Sequence, residues 1–330
     1  MPAERIGVEL LVVDSSHRQQ RTDETSTVHR VASGLRQLLI VLHGLLARFM
    51  TSGRPSCVHV NSSGSLGLVR DLIALTVCRG LRVRTVLHLR FGRTPEILSN
   101  GSGEGRLLRR AVRTASVTLS IDEPTHRAVS NLVGSTRAQI LPNFIETERY
   151  EANLERDSRV ALFVGSVGAS KGIDELVSAW TDLAPSGWHL RLVGPPAATY
   201  ASPAWLGTLD ASIELVGPRS HDEVIAEMTQ AAFLVLPSHT EGFPNVILEA
   251  MATGTPVVAT SVGAIPAMLR DGAGIVVPPK DVPALVAALE VVTSAPEIRS
   301  SMAATALRRV RETYSLDVVV DAYRRLWLSE

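Results

Sequence analysis

The chain has 330 residues, 45% of them hydrophobic and 20% charged, a globular composition long enough for two ordinary domains. Zero formal net charge and only 4% aromatic residues argue against a nucleic-acid partner, since neither a cationic surface nor a set of stacking rings is on offer. Its two cysteines, Cys57 and Cys78, sit in apolar stretches without metal-ligand spacing, which excludes a disulfide framework and fits a reducing cytosol.

The zero net charge hides an asymmetry: residues 1–157 carry +6 and residues 158–330 carry −6. A basic first half suits an anionic acceptor or a membrane surface, and equally an ordinary charged surface. The opening Met1-Pro2-Ala3-Glu4-Arg5 has no apolar signal core. The most apolar early run, Leu38–Met50, is broken by His43 and Arg48 and is too short for a bilayer span. The expected location is cytoplasmic, with contact at the inner face of the membrane as the further option.

Taken in chain order, Val8–Val13, Cys57–Val60, Val83–Leu89 and Val117–Ile121 read as strands, with Gly34–Met50 and Leu66–Cys78 as helices. Thr94–Gly105, ending in Ser-Asn-Gly-Ser-Gly-Glu-Gly, reads as a mobile loop. In Gly105–Arg113, residues Arg106, Arg109, Arg110 and Arg113 share a helical face opposite Leu107, Leu108, Ala111 and Val112. That helix either rests on an anionic bilayer or is a solvated helix packed on its own sheet. Asn143–Arg159, polar and charged after Leu-Pro-Asn, reads as the interdomain linker.

The second half alternates strictly. Strands are expected at Val160–Gly165, His189–Gly194, Ser212–Gly217, Ala232–Pro237, Pro256–Thr260 and Gly274–Val277. Helices are expected at Ile173–Leu183, Asp222–Gln230, Val246–Thr253 and Pro283–Thr293. This alternation implies a parallel sheet covered by helices on both faces. Several strands end in Gly or Pro, where loops at the carboxyl ends turn tightly around a ligand.

The most informative stretch is Ser238-His239-Thr240-Glu241-Gly242-Phe243-Pro244-Asn245-Val246-Ile247-Leu248-Glu249-Ala250-Met251-Ala252, continuing to Val258. It leaves a strand at Pro237, turns at Gly242 and enters a helix near Pro244-Asn245, whose free N–H groups suit phosphate or sugar oxygens. Glu241 on the loop and Glu249 in the helix can hold different hydroxyls of one ligand; either is equally a solvated surface acid. A second motif, Phe163-Val164-Gly165-Ser166-Val167-Gly168-Ala169-Ser170-Lys171-Gly172, is a strand, a Gly-rich turn and a helix start. Lys171 is placed there to neutralise a diphosphate, or is an ordinary surface lysine; Lys171 and Lys280 are the only lysines in the chain. The Walker A order is absent, and no Gly-x-Gly-x-x-Gly follows the first strand, which makes a dehydrogenase a poor fit. His88 ends the strand Thr85–His88, a cleft-facing place in such a domain that a structural histidine also occupies.

The run from Ser238 to Val258, with Gly263-Ala264-Ile265-Pro266 and Asp271-Gly272, resembles the signature of family-4 retaining glycosyltransferases. The resemblance covers about residues 140–330, and Asn61–Gly64 with Arg70-Asp71 is similar to exopolysaccharide-type members. It implies an α/β GT-B fold, two Rossmann-like domains with parallel sheets facing a cleft. Residues 1–156 would form the acceptor-side domain, 157–314 the nucleotide-sugar domain, and 315–330 a helix, Leu316–Leu328, returning to the first domain. It implies transfer of a sugar, with retention, from a nucleoside diphosphate sugar to a glycan or lipid-linked acceptor, without a metal or other cofactor. By it Glu241 binds the donor sugar near its reacting centre and Glu249 the ribose hydroxyls. The backbone of Gly242, Phe243, Pro244, Asn245 and Val246 binds sugar and diphosphate. Gly165, Ser166 and Lys171 clamp the diphosphate, Gly217 and Arg219 approach the base, and His88 lies near the anomeric carbon.

Two departures stand out. Ser166 occupies the place where the family carries Arg, so the clamp is expected either to be weaker or to be completed by another arginine such as Arg219 or Arg90. No Gly occurs between Val8 and Ser33, and the opening strand is similar to the family's second, so the chain is expected to lack the first β–α unit and to be poorly soluble and inactive. The competing reading makes Val8–Val13 the true first strand and Ser15–Gln20 its loop. Rival functions are a sugar-nucleotide epimerase of the same fold and a catalytically inactive nucleotide-sugar-binding protein.

Overall fold

A computed structural model describes residues 54–64, 67–197 and 209–328, together with residues 39, 40, 43, 44 and 207. The expected elements Val8–Val13 and Gly34–Met50 and the Ser15–Gln20 loop lie outside the described stretches, apart from residues 39, 40, 43 and 44. The chain divides into two units, Met1–Pro142 with Val320–Glu330, and Asn143–Val319.

In the first unit four strands, β1 (Cys57–Ser62), β2 (Arg84–Leu89), β3 (Val117–Ser120) and β4 (Ala138–Ile140), pair in parallel in that order. Helices α1 (Gly67–Gly80), α2 (Thr94–Ser99), α3 (Gly103–Thr114) and α4 (Glu123–Val133) connect them. Leu68 and Leu75 of α1, Leu87 and Leu89 of β2, Leu108 and Val112 of α3 and Val129 of α4 form one buried core.

Thr94–Gly105 is not a mobile loop. Its first part is α2, with Pro95 in the opening turn, and its last residues start α3. Ser102 caps α3 by accepting from the Gly105 N–H at 3.0 Å, and Arg109 Nη1 donates to Leu98 O (2.7 Å) and Asn100 O (3.0 Å). Of the glycines that suggested mobility, Gly105 serves packing instead: a Cβ there would stand 2.4 Å from Ile97 O. Of the arginine face on α3, Arg109 is therefore turned inward, while Arg106, Arg110 and Arg113 are exposed. Helix α4, capped by Asp122 and opened by Pro124, and strand β4 were not foreseen.

The second unit is a six-stranded parallel sheet. Its strands are β5 (Val160–Val164), β6 (His189–Val193), β7 (Ile213–Gly217), β8 (Phe233–Leu236), β9 (Val257–Thr260) and β10 (Ile275–Val277), in the order β10-β9-β8-β5-β6-β7. Its helices are α5 (Ile173–Leu183), α6 (His221–Gln230), α7 (Asn245–Ala252), α8 (Ile265–Met268), α9 (Val282–Ser294) and α10 (Pro296–Thr313). Burial on both faces explains why these strands read as continuous apolar runs: Phe233–Leu236 and Val257–Thr260 are buried throughout. Trp188 and Phe233 pack with ring centres 5.7 Å apart and planes tilted by 45°, and the buried Trp180 donates its indole N–H to Ser212 Oγ at 3.0 Å.

From β5 the chain runs outward through β6 and β7, then returns to the other side of β5 for β8, β9 and β10. The direction of winding reverses between β5 and β8, and a doubly wound sheet opens its ligand crevice at such a reversal.

The segment 143–159 does not hang free between the units. Ile145 bridges to Ser315, Asn153 N–H donates to Thr253 O at 3.0 Å, and Arg156 donates to the carbonyls of Asn153, Met228, Thr229, Ala231 and Thr253. The division falls after Pro142 because these bonds fasten the whole stretch to the second unit.

The last helix, α11 (Leu316–Leu328), buries Leu316, Val319, Val320, Tyr323 and Leu326, the stripe expected of one face. The division runs through it, and residues from Val320 onward belong to the first unit.

Candidate functional site

The Gly-rich turn of Phe163–Gly172 and the stretch from Ser238 are the loops leaving β5 and β8, the strands that straddle the winding reversal. Their backbones touch. Gly172 has φ +68, and a Cβ there would stand 2.0 Å from Pro237 O, so only glycine permits this approach. The His239 N–H donates to Ser170 O at 3.0 Å. A third loop, after β9, closes on them: the Ala264 N–H donates to Gly242 O at 2.9 Å, and a Cβ on Gly263 would stand 2.3 Å from Glu241 O.

This packing brings together side chains 70 positions apart. Lys171 Nζ lies 2.5 Å from Glu241 Oε1, which also accepts from Ser238 Oγ at 2.8 Å. Both charges are largely shielded, with 28% and 13% of their side chains exposed, which strengthens their attraction. Helices α5 and α7 begin beside these loops, and neither carries a side-chain cap. The Ile247 N–H donates to Pro244 O at 3.1 Å, and the positive end of each helix dipole favours an anion or a sugar oxygen beside it.

The other expected donor residues also lie in this unit. Gly165 N–H donates to Val193 O at 2.9 Å, and a Cβ on Gly194 would stand 1.9 Å from Gly165 O. Ser166 is half-buried beside it. Phe243 packs edge-on to Tyr314, Pro244 is buried at the start of α7, Val246 is half-buried, and Asn245 accepts from Asn143 Nδ2 at 2.9 Å. Gly217 ends β7 with φ +77, and its carbonyl accepts from the Gly194 N–H. Arg219 Nε lies 3.7 Å from Glu227 of α6. Glu249, only 17% exposed, meets His221 Nε2 at 3.1 Å. Burial, reinforced by the charge of Glu249, pushes the Tyr150 phenol up.

His88 belongs to the first unit and is fully buried in β2. Its Nδ1 is 3.5 Å from the Tyr323 hydroxyl, and its ring lies 5.4 Å from that of His59. Trp327 donates to His59 Nδ1 at 3.0 Å. Burial, then the neighbouring His59 and Arg90, holds His88 well below the usual imidazole range, and burial with Arg90 lowers His59 to about 4. Both rings are neutral near pH 7. Among the described residues His88 Nε2 has no hydrogen-bond partner.

Sequence reasoning missed His221, His239 and Glu175. His239 Nε2 lies 2.9 Å from Glu175 Oε1. The capping box of α6, Ser220 with Glu223, was readable from its spacing and would have placed His221 in the first turn. Nothing local marks Glu175 or Glu249 as their partners.

Among the described residues, no group of three or more His, Cys, Asp or Glu is arranged to hold a metal ion, and no helix is long and apolar enough to cross a membrane.

Residues 158–294 match the family model described as Glycosyl transferases group 1. A putative teichuronic acid biosynthesis glycosyltransferase, TuaC of Bacillus subtilis, is 29% identical over 200 residues, 57% of this chain and 49% of that protein. A D-inositol 3-phosphate glycosyltransferase of Geodermatophilus obscurus is 30% identical over 258 residues, 71% of this chain and 56% of that protein. In these matches the chain spans about half the length of its curated relatives. Among solved structures, Anabaena HepE in complex with UDP aligns with TM-score 0.75 at 16% identity, over 88% of this chain and 82% of that one. Sucrose-phosphate synthase from Thermosynechococcus elongatus aligns with TM-score 0.68 at 20% identity, over 89% and 79%. These likenesses establish the fold as GT-B, with two parallel-sheet α/β units.

Proposed function

Because residues 158–294 belong to the group 1 glycosyltransferases, we propose that this chain is a retaining glycosyltransferase that moves a sugar from a nucleoside diphosphate donor to a glycan or lipid-linked acceptor. One observation carries the reading most: the Lys171–Glu241 pair stands on the two loops at the winding reversal, beside two uncapped helix starts. A diphosphate there competes with Glu241 for Lys171. The lysine and the N–H groups of α5 and α7 take phosphate charge, and Glu241 turns to the sugar. The bond between the anomeric carbon and the diphosphate oxygen breaks, and the positive charge growing on the sugar is stabilised by Glu241. The acceptor oxygen bonds to the face the diphosphate leaves, and its proton passes to a phosphate oxygen, so no protein base and no metal is part of the scheme.

Glu249 holds the ribose in this reading. HepE, a neighbour in fold, is described in complex with UDP and with UDP-glucose, which makes the uridine compounds the first to try. The exposed Arg106, Arg110 and Arg113 of α3 suit an anionic lipid surface at the inner membrane face, where a lipid-linked acceptor is found.

A thermal-shift screen with UDP, GDP, ADP and their glucose derivatives, followed by assay of sugar release, tests the proposal, because a ligand that binds only the native state raises the melting temperature. Lys171→Ala is expected to weaken nucleoside diphosphate binding far more than nucleoside binding. Equal losses for both would place Lys171 outside the diphosphate site. Binding of nucleotide sugars without release or transfer would favour the inactive binder.

A further inference from the structure

Two loops are held together by more than the Lys171–Glu241 pair. His239, two positions before Glu241, reaches across to Glu175, in the first turn of the helix that follows Lys171. The contacts 171–241 and 175–239 therefore fasten the same two segments twice, and the bond from His239 N–H to Ser170 O lies between them. Both His239 and Glu175 are 21% exposed. Glu175 Oε1 takes the histidine, while Oε2 is shielded from water and has no donor among the described residues. The carboxylate thus depends on His239 for its placement.

That placement matters electrostatically. A carboxylate in the first turn of α5 is attracted to the same helix N-terminus that is assigned to the diphosphate, and left free it would compete for that end and repel the phosphates.

We propose that His239 is a positioning residue of the donor site: through Glu175 it fixes the Glu241 loop against the Lys171 turn and holds the Glu175 carboxylate off the helix start. This rests on the donor-site reading above. It acts on geometry, with no proton transfer to substrate.

The test uses the whole chain, calorimetry with UDP, GDP and ADP and with their nucleosides, and hydrolysis of the matching glucose derivative. His239→Ala is expected to lose about tenfold in diphosphate affinity and in hydrolysis, the size of one hydrogen bond to a charged group, with nucleoside affinity unchanged. His239→Gln, whose amide N–H reaches where Nε2 does, is expected to restore both. Glu175→Gln keeps the acceptor and removes the charge, so diphosphate affinity is expected to hold or rise. If His239→Ala does not fold, the two glutamine variants still decide the matter. Wild-type values in His239→Ala, equal loss of nucleoside and diphosphate, failure of His239→Gln to rescue, or a loss in Glu175→Gln would each overturn the role of His239 while leaving the donor site standing. Wild-type protein that binds none of the three diphosphates would instead overturn the donor site itself.

Discussion

Replacing Gly172 by alanine places a methyl carbon 2.0 Å from Pro237 O, in a backbone conformation with φ +68. Two costs follow. Holding a residue with a Cβ in the left-handed region costs about 1–2 kcal/mol. The clash is larger in effect, because a carbon and a carbonyl oxygen rest at about 3.3 Å, so the β5 and β8 loops must part by roughly 1 Å. Lys171 and Glu241, now 2.5 Å apart, sit on either side of that parting and move with it. A displacement of that size in a catalytic constellation costs about a hundredfold in turnover. Gly272 gives the control: its φ is +82, but no atom lies within 4 Å of the added carbon, so Gly272→Ala bears the conformational cost alone. Melting curves and UDP calorimetry on both variants, with sugar release as the activity readout, separate the terms. Both should lose stability; only Gly172→Ala should lose diphosphate affinity and turnover. Equal behaviour of the two variants would refute the argument that loop contact sets the Lys171–Glu241 geometry.

Glu241→Gln should cut transfer by on the order of a hundredfold with nucleotide affinity retained, the loss typical of one electrostatic stabiliser, and near wild-type turnover in a donor hydrolysis or transfer assay would sink its role. Arg156→Ala removes a donor to five carbonyls, but Met228 O keeps Thr255 Oγ1 and Thr229 and Thr253 keep Asn153. Two carbonyls, those of Ala231 and Asn153, lose their only named partner, so a loss of about 2–4 kcal/mol in the second unit is expected, read as a lowered urea midpoint. An unchanged midpoint would show that Arg156 fastens nothing. His59 binds its proton only near pH 4 when folded against 6.5 unfolded, so its contribution is intact above about pH 6.5 and is lost as pH falls through 4. Full protonation should cost the first unit about 3 kcal/mol and break the bond from Trp327, visible as a fluorescence change that Trp327→Phe abolishes. Stability independent of pH across that window would contradict the neutral His59.

The apolar runs and their Gly or Pro endings determined the six strands of the second unit and the helices α5, α6, α7 and α9, because a parallel sheet buried on both faces writes itself as uninterrupted hydrophobic segments. The stretch from Ser238 to Val258 likewise marked Glu241 and Glu249 as carboxylates near a helix start. Where local signals conflict, tertiary contacts decided. Glycine and serine between Ser99 and Gly105 spell a loop, yet Ile97 O and Arg109 press the chain into two helices there. Asn143–Arg159 has a linker's composition, yet Arg156 finds carbonyls at the ends of α6 and α7 and ties it down. The partners of the charged groups were beyond any reading along the chain. Lys171 with Glu241, His239 with Glu175 and His221 with Glu249 lie 70, 64 and 28 positions apart. Each meeting depends on strand order, and the side of β5 on which the chain returns is set by packing the whole sheet, since short-range propensity carries no information about which strand becomes a neighbour.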